Sequence, residues 1–425
     1  MQKSRRKQSQ RKARLEVAPE QRVVTLGEVA VNVGAEFREV MIRGGLALAS
    51  ALFEEELVRL CGPRYSRGEH LAHRWGSQQG EVVLGGRKVK LQRPRVRKDG
   101  EEIVLPVYQE LQAEDPLSDR ALEQMLIGVS TRKYRRSLEP VIPDLKEFAT
   151  SKSAVSRRFV ARTAAQLEAA LSKPLGGEEW VALMIDGIAF HEHVIIIALG
   201  IDATGRKHVL SFRQGSTENG TLCREMLSEM VSRGVPADRS ILVVIDGGKG
   251  LRKAVNEVFG EYAVVQRCQV HKKRNVLDQL PEEMRAQVRG AINQAYAAAS
   301  YETAEKLLKN QARVLSKDHT GAAESLKEGL EETLTVKKLG ITGVLAKTLE
   351  TTNPIENLNG GVRRIAGRVK RCRGGGMALR WVASGALEHA KKFRRLKGHQ
   401  QMPKLIAALR ARDAEIKNAN VRRTG

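Results

Sequence analysis

The chain is poor in several of the features that mark common protein classes. Cysteine occurs four times in 425 residues, at positions 61, 223, 268 and 372, with no C-x-x-C pair. That pattern excludes a disulfide framework and a zinc finger, and it suits a reducing compartment. Aromatic residues make up only 4%, which argues against a structural RNA-binding protein built on stacking platforms. No apolar run is long enough to span a bilayer. The basic segment MQKSRRKQSQRKARLE has no hydrophobic stretch behind it, so it does not read as a secretory signal. Acidic residues are outnumbered, 49 Asp and Glu against 73 Lys and Arg, for a net charge of +24. Such an excess repels itself unless a polyanion neutralises it. Nucleic acid fits, because each phosphate met by a cation releases counterions.

What the chain does have is concentrated in residues 177–275. WVALMIDGIAF, HVIIIALGID and KHVLSFRQGS are runs rich in strand formers. An amphipathic segment, NGTLCREMLSEMVSRGV, follows. SILVVIDGGKG is then a buried-type strand, GLRKAVNEVFG a short helix and YAVVQRCQVH a last strand. Three strands, helix, strand, helix, strand is the order of the ribonuclease-H-like α/β fold, with a mixed sheet. Asp186 and Asp246 stand at the ends of the first and fourth strands.

The flanks read differently. Residues 1–20 form a basic flexible arm. Residues 21–115 combine a helical pattern with an alternating ribbon, EVVLGGRKVKLQRPRVRKDGEEIVLPVY, which carries cations and predicts turns at Gly85–Gly86 and Asp99–Gly100. Residues 116–176 resemble a helix-turn-helix: helix, short turn, then a Ser-capped basic helix presenting Lys152, Ser153, Ser156, Arg157 and Arg158 to a groove. Residues 276–349 are an all-helical insertion rich in Ala, Leu, Glu and Lys. Residues 350–425 hold a further helix start, a glycine triplet at 374–376 and a basic helical tail.

Phosphodiester cleavage at neutral pH needs an activated nucleophile and a stabilised leaving oxygen. Two divalent ions held by hard oxygen ligands provide both. Asp186 and Asp246 fit if their strands are adjacent; the competing reading is that each Asp begins an Asp-Gly turn. Glu356 in TTNPIENLNGGVRR is the candidate third carboxylate. It also reads as the N3 partner of a capping box with Asn353 at the N-cap, and composition does not rank it above Glu350. Asn359, Arg363 and Arg364 follow on the same helix. Cys268 and His271 form a lone C-x-x-H, too few ligands for a zinc site. They read as a buried Cys with a His near the reacting phosphate, or as structural. Lys272, Lys273 and Arg274 read as phosphate contacts, His191 and His193 as strand-face residues, and Glu218 in GSTEN as an accessory acid.

At MIDG, GSTEN, VVIDGGKGLRKAV, QRCQVHKKRNVLDQLP and TLETTNPIENLNGGVRR, in that order, the chain resembles the mutator-type bacterial insertion-sequence transposases. The resemblance covers most of the chain. It implies a ribonuclease-H-like domain with a helical insertion before the last acid, and a DDE triad at Asp186, Asp246 and Glu356, which sets Glu356 above Glu350. The family's C-x-x-H falls on Cys268 and His271. It further implies two Mg²⁺ ions per site (Mn²⁺ as an alternative), binding to terminal inverted repeats and target double-stranded DNA, a homodimer or higher assembly, and a bacterial cytoplasmic, nucleoid-associated location with no membrane. A flipped base would need a stacking partner such as Tyr296, Tyr301 or Trp381. The other classes weighed are a nuclease or resolvase on the same fold, and a non-catalytic DNA-binding descendant, which should have lost one of the acids.

Overall fold

The computed structural model describes residues 26–65, 70–113, 115–138 and 146–424. The expected basic arm, residues 1–20, lies outside them. The chain divides into two compact units, Met1–Glu114 with Leu138–Ala149, and Asp115–Ser137 with Thr150–Gly425.

The first unit holds α1 (Leu26–Cys61), β1 (His73–Leu84), β2 (Arg87–Lys98), β3 (Glu101–Ile103), α2 (Pro106–Gln112) and β4 (Glu147–Phe148). The antiparallel meander turns at Gly85–Gly86 and Asp99–Gly100, as the sequence predicts. β1 begins at His73 rather than near Gly80. Phe53, Leu57, Val82, Val89, Val96 and Tyr108 form the core. The ribbon's cations are not a bare row. Arg87 is buried in an ion pair with Glu147 at 2.8 Å, Arg93 and Arg95 share Glu102, and Arg97 lies over the Trp75 ring.

The second unit begins with α3 (Asp115–Leu126) and α4 (Lys152–Ser172). They pack together, with Arg162 Nε 2.6 Å from Asp119. The expected short helix-turn-helix connection does not form. Gly128, at φ +103°, ends the first helix, and the basic stretch after it is a turn and a 3-10 turn at Arg135–Ser137. Residues 127–151, including β4, separate the two helices. Of the Ser and Thr residues at the start of this helix, Ser151 is the cap of α4, its side chain accepting from Ala154 N, while Val155 and Phe159 face inward.

The central sheet follows the predicted order: β5 (Trp180–Phe190), β6 (His193–Asp202), β7 (Lys207–Gln214), α5 (Gly220–Ser232), β8 (Ile241–Ile245), α6 (Lys249–Phe259) and β9 (Ala263–Arg267). In space the strands run β7-β6-β5-β8-β9. β5, β6 and β7 are antiparallel neighbours, and β8 and β9 are parallel to β5. Strands covered on both faces read as continuous apolar runs rather than alternations, which is the pattern of WVALMI and ILVVI. The helices that follow β9 are α7 (Gln269–Asp278), α8 (Glu282–Ala297), α9 (Tyr301–Leu315), α10 (Thr320–Lys327), α11 (Thr335–Lys338), α12 (Gly343–Leu349), α13 (Asn353–Ala366), α14 (Gly375–Ala390) and α15 (Met402–Thr424). One sheet face packs on α5 and α6 through Leu183, Ile185, Val243, Met226 and Leu251. The other packs on α4, α13 and α14 through Met184, Ile188, Val244, Phe159, Leu358 and Trp381. Helices α7 to α10 have a core of their own around Ile292, Leu308 and Leu326.

Candidate active site

Side chains alternate along a strand, so Asp186 falls on the same face as Met184 and Ile188, towards α13. β5 and β8 pair in parallel with Ile185 opposite Ile245. The residue after each of these is a carboxylate, and the two lie side by side: Asp246 just past the end of β8, and Asp186 within β5, which runs on to Phe190 instead of ending at the Asp as the sequence suggests. The turn after β8 is made for this. Gly247 has φ +109°, a conformation L side chains rarely adopt. At Gly248 a Cβ would crowd Glu218 Oε1 at 3.1 Å and Thr217 Oγ1 at 3.2 Å and would be in ordinary contact with Asp246 Oδ1 at 3.5 Å, so both acids border this glycine. Gly248 N donates to Asp246 Oδ1 at 3.0 Å. Glu218 is thus beside Asp246 and exposed.

Asp186 feels both other acids. Burial, then the charge of Asp246, pushes its carboxyl up to about 6; Glu356 adds to this, while Gly187 N–H and His271 oppose it. Each of its oxygens has a donor: Oδ1 accepts from Gly187 N at 2.9 Å, and Oδ2 from Asn359 Nδ2 at 2.8 Å. Asn359 is 1% exposed, and its own Oδ1 is buried without a partner. Glu350 is buried elsewhere, where Lys337 and Lys347 face it and burial raises its carboxyl.

Glu356 does not sit where a capping box would put it. The N-cap of α13 is Thr352, one residue before the expected Asn353, and Glu356 takes a hydrogen bond from Thr352 Oγ1 at 2.6 Å. His271 Nε2 lies 3.8 Å from Glu356 Oε1. Cys268 is fully buried at the N-terminus of α7, with Thr352 N and Oγ1 3.4 and 3.3 Å from its sulfur. Burial alone would push this thiol up, but hydrogen bonds from His271 and Thr352 outweigh it and hold it low. The same hydrogen bond to Cys268 raises His271 against burial, helped by Glu356 and Asp186.

The other expected residues separate into two groups. Lys152, Ser156, Arg157, Arg274, Arg363 and Arg364 are exposed, Arg158 is half-buried, and Lys273 donates to Asn293 at 2.7 Å. Lys272 is instead buried, its ammonium 2.7 Å from both Ser325 O and Glu328 O. It is occupied in tying α7 to α10 rather than facing a phosphate. His191 is in the tight turn after β5 at φ +54°, its Nε2 3.0 Å from Val369 O. Trp381 is buried with its ring 4.6 Å from that of Phe159, and Lys338 lies over the Tyr301 ring. Thr352 was not among the residues expected in the site; the signal available for it was its place in the TTN run ahead of Pro354.

The family model described as "Transposase, Mutator family" matches residues 36–393. The chain belongs to this family. It is 29% identical over 231 residues to the transposase of insertion sequence IS6120 from Mycolicibacterium smegmatis, covering 52% of this chain and 70% of that protein. It is 27% identical over 301 residues to the ISRM5 transposase of Rhizobium meliloti, covering 70% and 73%. The IS256 transposase of transposon Tn4001 from Staphylococcus aureus is 27% identical over 267 residues, covering 59% and 64%. Among the described residues of this family member, no helix is long and apolar enough to cross a membrane.

Proposed function

We propose that the chain is an insertion-sequence DNA transposase with a ribonuclease-H-like catalytic domain. It binds the terminal inverted repeats of its element, cleaves at the ends and joins the freed 3′-OH to target DNA. The observation that carries this reading is the parallel register of β5 and β8, which brings Asp186 and Asp246 together under the helix that bears Glu356.

Asp186, Asp246 and Glu356 would hold two Mg²⁺ or Mn²⁺ ions. The donor set is right for hard cations. The raised Asp186 carboxyl marks a cluster whose like charges call for a cation, and the partnerless Asn359 Oδ1 is a further hard acceptor beside it. When bound, such ions polarise the scissile phosphodiester and acidify the attacking water. The chain's own groups orient and exclude: Asn359 and Gly187 N–H fix the Asp186 carboxylate, and Gly248 N–H fixes that of Asp246. In cleavage, water oxygen forms the new P–O bond and the 3′ oxygen leaves with a proton. In joining, that 3′-OH attacks a target phosphodiester and the target's 3′ oxygen leaves.

Arg274, Arg363 and Arg364 serve the DNA backbone, and the exposed face of α4 at Lys152, Ser156 and Arg157 serves end recognition. The active form is a homodimer or larger, working in the bacterial cytoplasm on nucleoid DNA. The test is a Mg²⁺-dependent cleavage and strand-transfer assay on the element's own inverted repeats, with Asp246→Asn as control. Joined product that requires Asp246 supports the proposal. Cleavage without joining would make the protein a nuclease, and cleavage by the Asp246→Asn protein would remove the metal-site assignment.

A further inference from the structure

A threonine at a helix N-cap ordinarily turns its hydroxyl to the backbone N–H two or three residues on. Thr352, the N-cap of α13, does not. Its side chain is fully buried and turns the other way, with Oγ1 2.6 Å from Glu356 Oε1, 3.3 Å from His271 Nδ1 and 3.3 Å from Cys268 Sγ. A hydroxyl has one proton and two lone pairs. The contact to Glu356 has the short O–H···O⁻ distance of a charge-assisted bond, and the other two do not. The proton therefore goes to Glu356, and the oxygen is left to accept from His271 Nδ1–H. Cys268 Sγ keeps Thr352 N–H as a donor and shares with the hydroxyl oxygen the hydrogen bond that the His271 side chain gives.

We infer that Thr352 is a positioning residue: its hydroxyl couples His271 to Glu356, sets the direction of that carboxylate and holds the proton on His271 Nδ1. The inference rests on the reading of Glu356 as a metal-holding acid. Glu356 is half exposed, and among the described residues its only other near partner in the site is His271 Nε2 at 3.8 Å, so without the hydroxyl the carboxylate is free to swing. A different occupant of the same space is conceivable in chemical terms. Donor atoms of Cys268, His271 and Glu356 all lie within 4.8 Å of one another, a set a soft cation would accept. The Thr352 hydroxyl already stands between the three, at 2.6 to 3.3 Å from each, and the geometry points to the hydroxyl bridge.

The experiment uses the full chain and compares Thr352→Val, which keeps the shape and removes the hydroxyl, with Thr352→Ser, which keeps the hydroxyl. Mn²⁺ affinity is read by titration calorimetry, and the protonation site of His271 by nitrogen NMR of histidine-labelled protein, assigned with His271→Asn. Orienting partners of metal ligands are worth about 10–100-fold in affinity. Thr352→Val is expected to weaken Mn²⁺ by at least ~10-fold and to shift the His271 signals. Thr352→Ser is expected to do neither. Unchanged affinity and signals in Thr352→Val overturn the inference, as does a Thr352→Ser protein as weak as Thr352→Val, which would assign the effect to the methyl group. A thiolate-to-cadmium absorption band that disappears in Cys268→Ala also overturns it, in favour of a soft-metal site. If Glu356→Gln binds Mn²⁺ like the wild type, the metal role of Glu356 is what fails, and the histidine signals still decide whether the hydroxyl bridge exists.

Discussion

Asn359 Nδ2 is 2.8 Å from Asp186 Oδ2, a bond between α13 and β5 across 173 positions of sequence. It fills the one Asp186 oxygen that the neighbouring Gly187 N–H does not reach. Asn359→Ala should therefore leave Asp186 present but loosely aimed. With Asp186 as a metal ligand, as proposed, the expected loss is about 10–100-fold in cleavage rate, with DNA binding unchanged by gel shift. A variant that cleaves at the wild-type rate would reduce the bond to a packing detail.

The raised Asp186 carboxyl has a consequence for pH. Its value is about 6 in the fold against an ordinary 3.8, so between those values the folded chain binds more protons than the unfolded one. Stability from this group falls as pH rises through that window, and above about 6 the full cost of a buried anion beside Asp246 is present. The cost is on the order of 1–3 kcal/mol. A divalent cation competes with the proton, so Mg²⁺ should raise the melting temperature more at pH 7.5 than at pH 5. Asp186→Asn should flatten the metal-free pH dependence and shrink the Mg²⁺ effect. Equal Mg²⁺ shifts at both pH values would sink the argument.

How far such a site can be read from the chain alone varies with the distance over which each feature is encoded. The sheet was legible because five runs of strand formers are separated by local signals, and Asp246–Gly247 falls where β8 ends; Asp186–Gly187 carries the same local signal but lies inside β5. The adjacency of Asp186 and Asp246 needed only the fold order. Thr352 was harder: Thr351, Thr352 and Asn353 are all good N-cap residues, and the choice among them is made by Cys268 and His271, more than 80 positions earlier. Burial of Lys272 follows from carbonyls at 325 and 328, which no local pattern announces. The ribbon's cations read as free for the same reason, since the partner of Arg87 is 60 positions away. Between α3 and α4 the basic stretch has helix formers, yet Gly128 at φ +103° ends α3 and α4 starts only at Lys152, so the expected short hairpin does not form.

The helical insertion is tied to the sheet by charge. Glu332 accepts from Arg252 Nε on α6 and from Arg267 Nε at the end of β9, each at 2.7 Å. Arg267 is 7% exposed and its other carboxylate, Glu328, is 3.7 Å away, so removing Glu332 leaves a buried cation with only that longer contact. Breaking a buried pair from one side typically costs about 3–5 kcal/mol. With Glu328 still facing Arg267, Glu332→Ala should lower stability by about the lower end of that range in denaturant unfolding. The double variant Arg267→Met, Glu332→Leu should recover much of it, because the buried cation is then gone and the charge left without Glu332, that of Arg252, is partly exposed. A double variant as unstable as the single would show that packing at this junction, rather than charge, is the source of the loss.

Lys272 and Arg274 are two positions apart on α7 and should behave in opposite ways. The ammonium of Lys272 is held by Ser325 O and Glu328 O, while Arg274 is exposed. Lys272→Met removes a buried ammonium from two part-buried carbonyls, so it should cost stability, about 1–3 kcal/mol, and leave the salt dependence of DNA binding unchanged. Arg274→Ala should leave stability within about 0.5 kcal/mol and weaken binding to any DNA sequence. For each lost phosphate contact the slope of log affinity against log salt should fall by about one. Binding titrations at several salt concentrations, with melting curves on the same samples, separate the two. A reduced slope in Lys272→Met would mean that the buried lysine is released to meet DNA, and the tie between α7 and α10 would then have to open on binding.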